Sequence, residues 1–224
     1  MTRKSLFKGI VSLIVIGIIG LFSFFFILPQ FKSIDLKYEV KPESIADKTL
    51  RVNLRISRNS FFGKKYLGFY SGAGNIFDEK CIDDKGNEIK AEYNDGIIQI
   101  GPLSKQTEYV DYSYKVKIGQ SIHQGVQGIY LDDILVFNGE NVFVMPYFST
   151  EEEMNDIEKS IKSISINVDV KNDWKAIMPY QNSEDENVNS AILVQKPNWN
   201  TFYNISKSCF AFGSFKEVAN MDKE

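Results

Sequence analysis

Leu50-Arg51-Val52-Asn53-Leu54-Arg55-Ile56-Ser57 puts an apolar side chain at every second position and a polar one between. Side chains of an extended strand point alternately to opposite faces, so this stretch reads as a strand with one buried face. Tyr112-Ser113-Tyr114-Lys115-Val116-Lys117-Ile118 and Ile164-Ser165-Ile166-Asn167-Val168-Asp169-Val170 repeat the pattern. Shorter strand candidates are Ile34–Val40, Ile89–Tyr93, Ile97–Ile100, Ile134–Phe137, Val142–Met145, Ala191–Gln195 and Cys209–Phe212. Lys85-Gly86-Asn87, Asn94-Asp95-Gly96 and Asn138-Gly139-Glu140 separate them as turn signals.

One helix is expected between two of these strands. Thr150-Glu151-Glu152-Glu153 has capping-box spacing, and Met154, Ile157 and Ile161 follow as one apolar stripe. Asn198–Ser206 is a second, shorter helical candidate. Many short strands with few helices define a mainly β fold, a β-sandwich-like domain with one short connecting helix. It is expected over residues 34–217, with a tail at 218–224.

A different pattern precedes that domain. Gly9 to Leu28 carries no charge and consists almost wholly of Ile, Val, Leu, Phe and Gly. About 20 such residues suffice for a helix to cross roughly 30 Å of hydrocarbon. Pro29 ends the run. A cleaved leader has an apolar stretch of about 7–15 residues and a small-residue cleavage site. Here the run ends in bulky Phe24-Phe25-Phe26-Ile27-Leu28. An uncleaved single-pass transmembrane anchor at 9–28 is therefore expected. Arg3, Lys4 and Lys8 make the tail at 1–8 basic, which points it to the cytoplasm and the β domain outside.

Composition excludes some partners. Beyond those three cations, 23 Lys and Arg stand against 29 Asp and Glu, a balance of about −6. A mildly acidic domain lacks the basic stripe that nucleic acid requires. The expected partners are the membrane, through 9–28, and a protein or peptide ligand. Two cysteines, Cys81 and Cys209, leave open a disulfide or two separate thiols.

Catalytic chemistry finds little footing. The chain has one histidine, His123, in the loop-like Gly119-Gln120-Ser121-Ile122-His123-Gln124-Gly125. His-Glu-x-x-His needs two, so that zinc motif is impossible. Gly-x-Ser-x-Gly and the phosphate-binding Gly-x-x-x-x-Gly-Lys-Ser/Thr are both absent from the sequence. Ser71-Gly72-Ala73-Gly74 reads as a turn. Asp83-Asp84-Lys85-Gly86-Asn87-Glu88 lacks the alternating ligands of a calcium loop and reads as a hairpin turn. No catalytic, cofactor-binding or metal-ligating residue is assigned, and no enzymatic activity is expected. Tyr109, Tyr112 and Tyr114 are assigned to packing, the alternative being an exposed aromatic strip.

A family resemblance runs through the second half. Gly128-Ile129-Tyr130-Leu131-Asp132-Asp133-Ile134-Leu135-Val136-Phe137 leads into Val142-Phe143-Val144-Met145-Pro146. The strand at 164–170 follows, then Asn172-Asp173-Trp174-Lys175 and Met178-Pro179-Tyr180. Ser208-Cys209-Phe210-Ala211-Phe212-Gly213-Ser214-Phe215 closes the series. This order resembles the N-terminal β domain of M61-type (glycyl aminopeptidase-like) metallopeptidases and, more distantly, related gluzincin aminopeptidases. Asn172-Asp173-Trp174 departs from the family's glycine-containing turn. The family's zinc ligands and catalytic glutamate lie in a following domain, so the resemblance carries over no catalytic residue.

Two functions are expected from this reading. The first is a membrane-anchored, extracytoplasmic, non-catalytic β domain binding a peptide, protein or envelope component. The second is the accessory domain of a split or truncated M61-like zinc aminopeptidase. Anchoring is testable: the full chain should stay in the membrane pellet through alkaline carbonate extraction. Ile18→Arg with Ile19→Arg should release it, because each central charge costs about 2.5–3.5 kcal/mol on insertion scales.

Overall fold

A computed structural model describes residues 33–59, 66–72, 76–104, 106–119, 121–122, 125–126, 128–147, 160–169, 174–180 and 190–214. The chain enters as β1 (Ser33–Ser44), β2 (Thr49–Asn59), β3 (Leu67–Tyr70) and β4 (Ile76–Asp83). The hairpin β5 (Ala91–Asn94) and β6 (Ile97–Ile100) precedes β7 (Tyr109–Lys117). The short pair β8 (Ser121–Ile122) and β9 (Gly125–Val126) leads to β10 (Gly128–Tyr130) and β11 (Ile134–Asn138). A 3-10 turn, Gly139–Asn141, precedes β12 (Met145–Pro146) and β13 (Ile161–Val168). The described elements end with β14 (Lys175–Ile177), β15 (Ser190–Gln195), α1 (Trp199–Lys207) and β16 (Cys209–Gly213).

The opening stretch sits at the centre of the largest sheet, whose order is β15-β13-β1-β2-β7-β4. β2 pairs antiparallel with β1 and β7, and β1 pairs parallel with β13. The alternation holds across the sheet. Leu50, Val52, Leu54 and Ile56 are buried beside Leu36, Tyr38 and Val40 and beside Val110, Tyr112, Tyr114 and Val116. Two four-stranded sheets, β12-β3-β6-β5 and β10-β11-β16-β14, supply the other side of one continuous core. The β-sandwich-like expectation is thus met in its mainly β, layered character.

The two-residue turn between β5 and β6 is Asp95-Gly96, both at positive φ (48° and 82°). That is the backbone a tight hairpin asks for, and glycine adopts it without cost. Asp83 Oδ1 accepts from the backbone N–H groups of Lys85 (2.9 Å) and Asn87 (2.7 Å), so the Asp-rich segment is a turn, as read. α1 confirms the second helical candidate. Asn198 caps it by accepting from Thr201 N at 3.0 Å, and Thr201, Phe202 and Ile205 face inward.

Several expectations change. Val142–Met145 is not a strand: only Met145 and Pro146 pair, with Tyr70 and Phe69 of β3. Val142, Phe143 and Val144 are nevertheless fully buried. Their backbone is satisfied by tyrosine side chains instead of a neighbouring strand. Tyr114 Oη donates to Val142 O at 2.8 Å and accepts from Val144 N at 3.1 Å. Tyr38 Oη donates to Val144 O at 2.7 Å. Val142 N and Phe143 N donate to Gly139 O. Phe143 then packs edge-on against Tyr38, Phe137 and Phe210, so one irregular segment touches two sheets and enters the third.

Ile161, placed by spacing on the connecting helix, opens β13 opposite Ile34, because parallel pairing with β1 buries it better. Helical backbone is present at Ser160, and the rest of the Thr150–Ile161 helix lies outside the described residues. The Gly9–Leu28 span and the 218–224 tail also lie outside them. Among the described residues no helix is long and apolar enough to cross a membrane. β3, β4, β8, β9, β10 and β14 were not anticipated, and β8 with β9 replaces part of the loop expected at 119–125. β4 hides because Asp78 sits at positive φ (53°) within a register shift against β7, breaking the period.

Tyr114→Phe tests the buried connector. It strands Val142 O and Val144 N in the core, and each unsatisfied group costs about 1–3 kcal/mol. Urea unfolding should show a loss of about 2 kcal/mol or more, with Tyr70→Phe, an exposed control, within about 0.5 kcal/mol of the parent.

Candidate functional site

The outward face of the six-stranded sheet carries a groove of about 300 Å³ lined by polar and charged side chains. The registers build it as two rows across four strands. One row runs Glu39, Asn53, Ser113 and Lys80; the next runs Lys37, Arg55, Asp111 and Ile82. The alternation that buries the apolar half of each strand necessarily lines up the polar half outside.

The charges in the groove engage one another. Arg55 forks onto Asp111 through Nε–Oδ1 (2.7 Å) and Nη2–Oδ2 (2.8 Å). Its guanidinium lies 4.3 Å from the Tyr109 ring centroid. The hydrogen bond to Asp111 raises the Arg55 pKa above its ordinary value. Lys37 pairs with Glu39 at 2.7 Å. Beside the groove, Arg51 and Lys115 share Glu43 and Asp78 at 2.9–3.2 Å. Hydrogen bonds from Lys115 and Arg51 hold the Asp78 carboxyl below its usual range. Exposed pairs of this kind contribute roughly 0–1 kcal/mol each, so the face is kept wet more than it is held together.

On the inward side of the same sheet the buried Tyr112 donates its hydroxyl to Glu79. Burial, then that carboxylate, pushes the Tyr112 phenol well above its normal range. Cys81 lies nearby, buried, with its thiol pushed up to about 12 by burial and by Asp111. A thiol held protonated is a poor nucleophile. Among the described residues no three metal-ligating side chains come together.

The sequence candidates are dispersed. His123 lies outside the described residues. Cys81 and Cys209 are both free, one buried and one exposed, which is the separate-thiol alternative. Gly72 approaches the backbone of Glu140 so closely that a Cβ would lie 2.6 Å from Glu140 O, so Ser71-Gly72 serves packing. Tyr112 and Tyr114 are core, as read, while Tyr109 backs Arg55. The exposed aromatics lie elsewhere. Trp199 and Tyr203 share the outer stripe of α1 with Lys207, which pairs with Glu140, and Asn204 Nδ2 donates to the Tyr180 hydroxyl at 3.1 Å. Their spacing of four residues was visible in the sequence once a helix was granted there.

No family model and no curated protein sequence matches the chain. Solved structures do. An aminopeptidase N family protein from Idiomarina loihiensis aligns over 83% of this chain at 12% identity and a TM-score of 0.58. An M1 zinc metallopeptidase from Deinococcus radiodurans aligns over 81% at 5% identity, but its TM-score of 0.44 adds nothing. The chain spans 31% of the first protein's length and 42% of the second's. The β fold is therefore one that an aminopeptidase N family protein also contains.

The two thiols should differ sharply in reactivity. A maleimide at pH 8 should modify Cys209 within minutes and leave Cys81 intact, with both labelled in denaturant. Intact-mass spectrometry reads the stoichiometry, and rapid native labelling of Cys81 would contradict the buried, protonated thiol.

Proposed function

We propose that this chain is a non-catalytic accessory β domain of the peptidase type, tethered to a membrane through Gly9–Leu28 and working outside the cytoplasm by contact with a peptide or protein. The observation that carries the reading is the fold shared with part of the Idiomarina loihiensis aminopeptidase N family protein over most of this chain. The M61-like order of motifs between Gly128 and Phe215 supports the same reading independently.

A zinc site does not fit this chain. One histidine cannot supply the paired imidazoles of such a peptidase, and the described Cys, Asp and Glu residues do not converge. Both groove carboxylates are paired, Glu39 with Lys37 and Asp111 with Arg55, which leaves neither of them poised as a base. Contact with a partner domain or its substrate is the role that remains for the fold. A second reading, a stand-alone binder of an envelope component, draws on the exposed Trp199, Tyr203 and Tyr180 around α1.

Full-length protein in detergent should hydrolyse no aminoacyl-p-nitroanilide above background, with or without added zinc. Zinc-dependent, chelator-sensitive turnover would remove the accessory reading.

A further inference from the structure

The six-stranded sheet has two edges, and they are built differently. β4 is guarded by the register shift at Phe77–Lys80 and by exposed Asp78, Glu79 and Lys80. Natural sheets use such bulges and charges to prevent edge-to-edge pairing. β15, at the other edge, reads Ser190-Ala191-Ile192-Leu193-Val194-Gln195, with no charge, no proline and an unbroken register against β13. Leu193 is 63% exposed on the outer face.

The backbone of that edge can be assigned. Lys196 N donates to Lys162 O, and Gln195 stands opposite Ser163. Antiparallel ladders alternate, so Lys196, Val194, Ile192 and Ser190 turn their amide groups toward β13. Ala191, Leu193 and Gln195 turn theirs outward. Among the described residues no backbone group pairs with them.

We propose that β15 is a homodimerisation edge, pairing antiparallel with β15 of a second copy about a two-fold axis at Leu193. Only residues of the outward set can exchange hydrogen bonds, and the register that uses all three puts Leu193 opposite Leu193 and Ala191 opposite Gln195 of the second copy. That register sets Lys196 opposite Ser190 and Ile192 opposite Val194 of the second copy, so no like charges face each other and apolar residues meet apolar ones. An uncharged strand tolerates meeting itself, and two-fold closure consumes both open edges.

A six-residue edge pair buries well under the roughly 1,000 Å² of a stable soluble interface. The pairing therefore leans on the tethering proposed above, which confines both copies to one surface and raises their effective concentration.

Cysteine crosslinking tests it. Hydrogen-bonded partners in an antiparallel pair lie about 5.5 Å apart at Cα, within disulfide range. Full-length Leu193→Cys, in a Cys209→Ser background and reconstituted in phosphatidylcholine vesicles, should form a disulfide dimer under mild oxidation. Yield should exceed an exposed control, Glu92→Cys, by roughly tenfold, as surface confinement at a fixed register predicts. Gln195→Cys should not crosslink, because in this register it meets Ala191. Gln195→Pro added to Leu193→Cys should abolish the dimer. Its amide faces outward, so circular dichroism and melting should stay near the parent. Equal yields for Leu193→Cys and Glu92→Cys, equal crosslinking at Gln195→Cys, or crosslinks to other proteins overturn the proposal. An alkaline wash of the same vesicles reports separately on the anchor.

Discussion

Buried backbone must find hydrogen-bond partners, and Val142-Phe143-Val144 finds them in two tyrosine hydroxyls. Everything else in the sandwich is arranged around that solution. Tyr38 and Tyr114 stand on β1 and β7, which flank β2, so their rings cross the core from the central strands of the large sheet. Burial drives both phenols above their ordinary pKa, keeping them neutral donors. The segment they hold carries Phe143 into the aromatic cluster of Phe137, Phe210 and Phe212 and then delivers Met145 and Pro146 to β3. A strand in that place would have satisfied its own backbone but could not have reached three sheets. Gly139 makes the approach feasible, since a Cβ there would sit 2.0 Å from Ile205 O of α1.

The same period-two alternation serves two ends. Inward it assembles the core; outward it ranks Lys37, Glu39, Arg55 and Asp111 in rows whose charges cancel in pairs. Among the groove's described residues both carboxylates are thereby paired, and Lys80 is the remaining charge. Among the described residues β15 leaves outward-facing backbone groups open at a sheet edge, the contact surface proposed above. That fits a domain whose solved counterpart is one part of a larger peptidase-family chain.

The proposed tether and the sheet geometry bear on each other. β1 begins at Ser33, five residues after Leu28, so the expected anchor feeds directly into a central strand. With that proposed anchor, the intervening chain, at about 3.3–3.6 Å per residue, would hold the domain close to the bilayer.

The strands legible in the sequence were those with one wet and one buried face: β1, β2, β6, β7, β11, β13, β15 and β16. Each keeps its period for four or more residues, and burial enforces it. β4 was illegible because edge exposure lets Asp78, Glu79 and Lys80 replace the apolar half of the pattern. Val142–Val144 was misread because continuous apolarity marks burial without naming the backbone's partners. Those partners, Tyr38 and Tyr114, lie 106 and 28–30 residues away, a pairing no local period encodes. The candidate groove was written in Arg55 and Asp111 as polar alternation, but their neutralising contact spans 56 residues and exists only once β2 and β7 are in register. By itself the sequence determined which faces are wet, where the tight turns fall and that one histidine cannot build a paired-histidine zinc site. Tertiary structure alone decided which charges cancel and which sheet edge stays open, because both depend on strand order, and strand order is set by long-range burial.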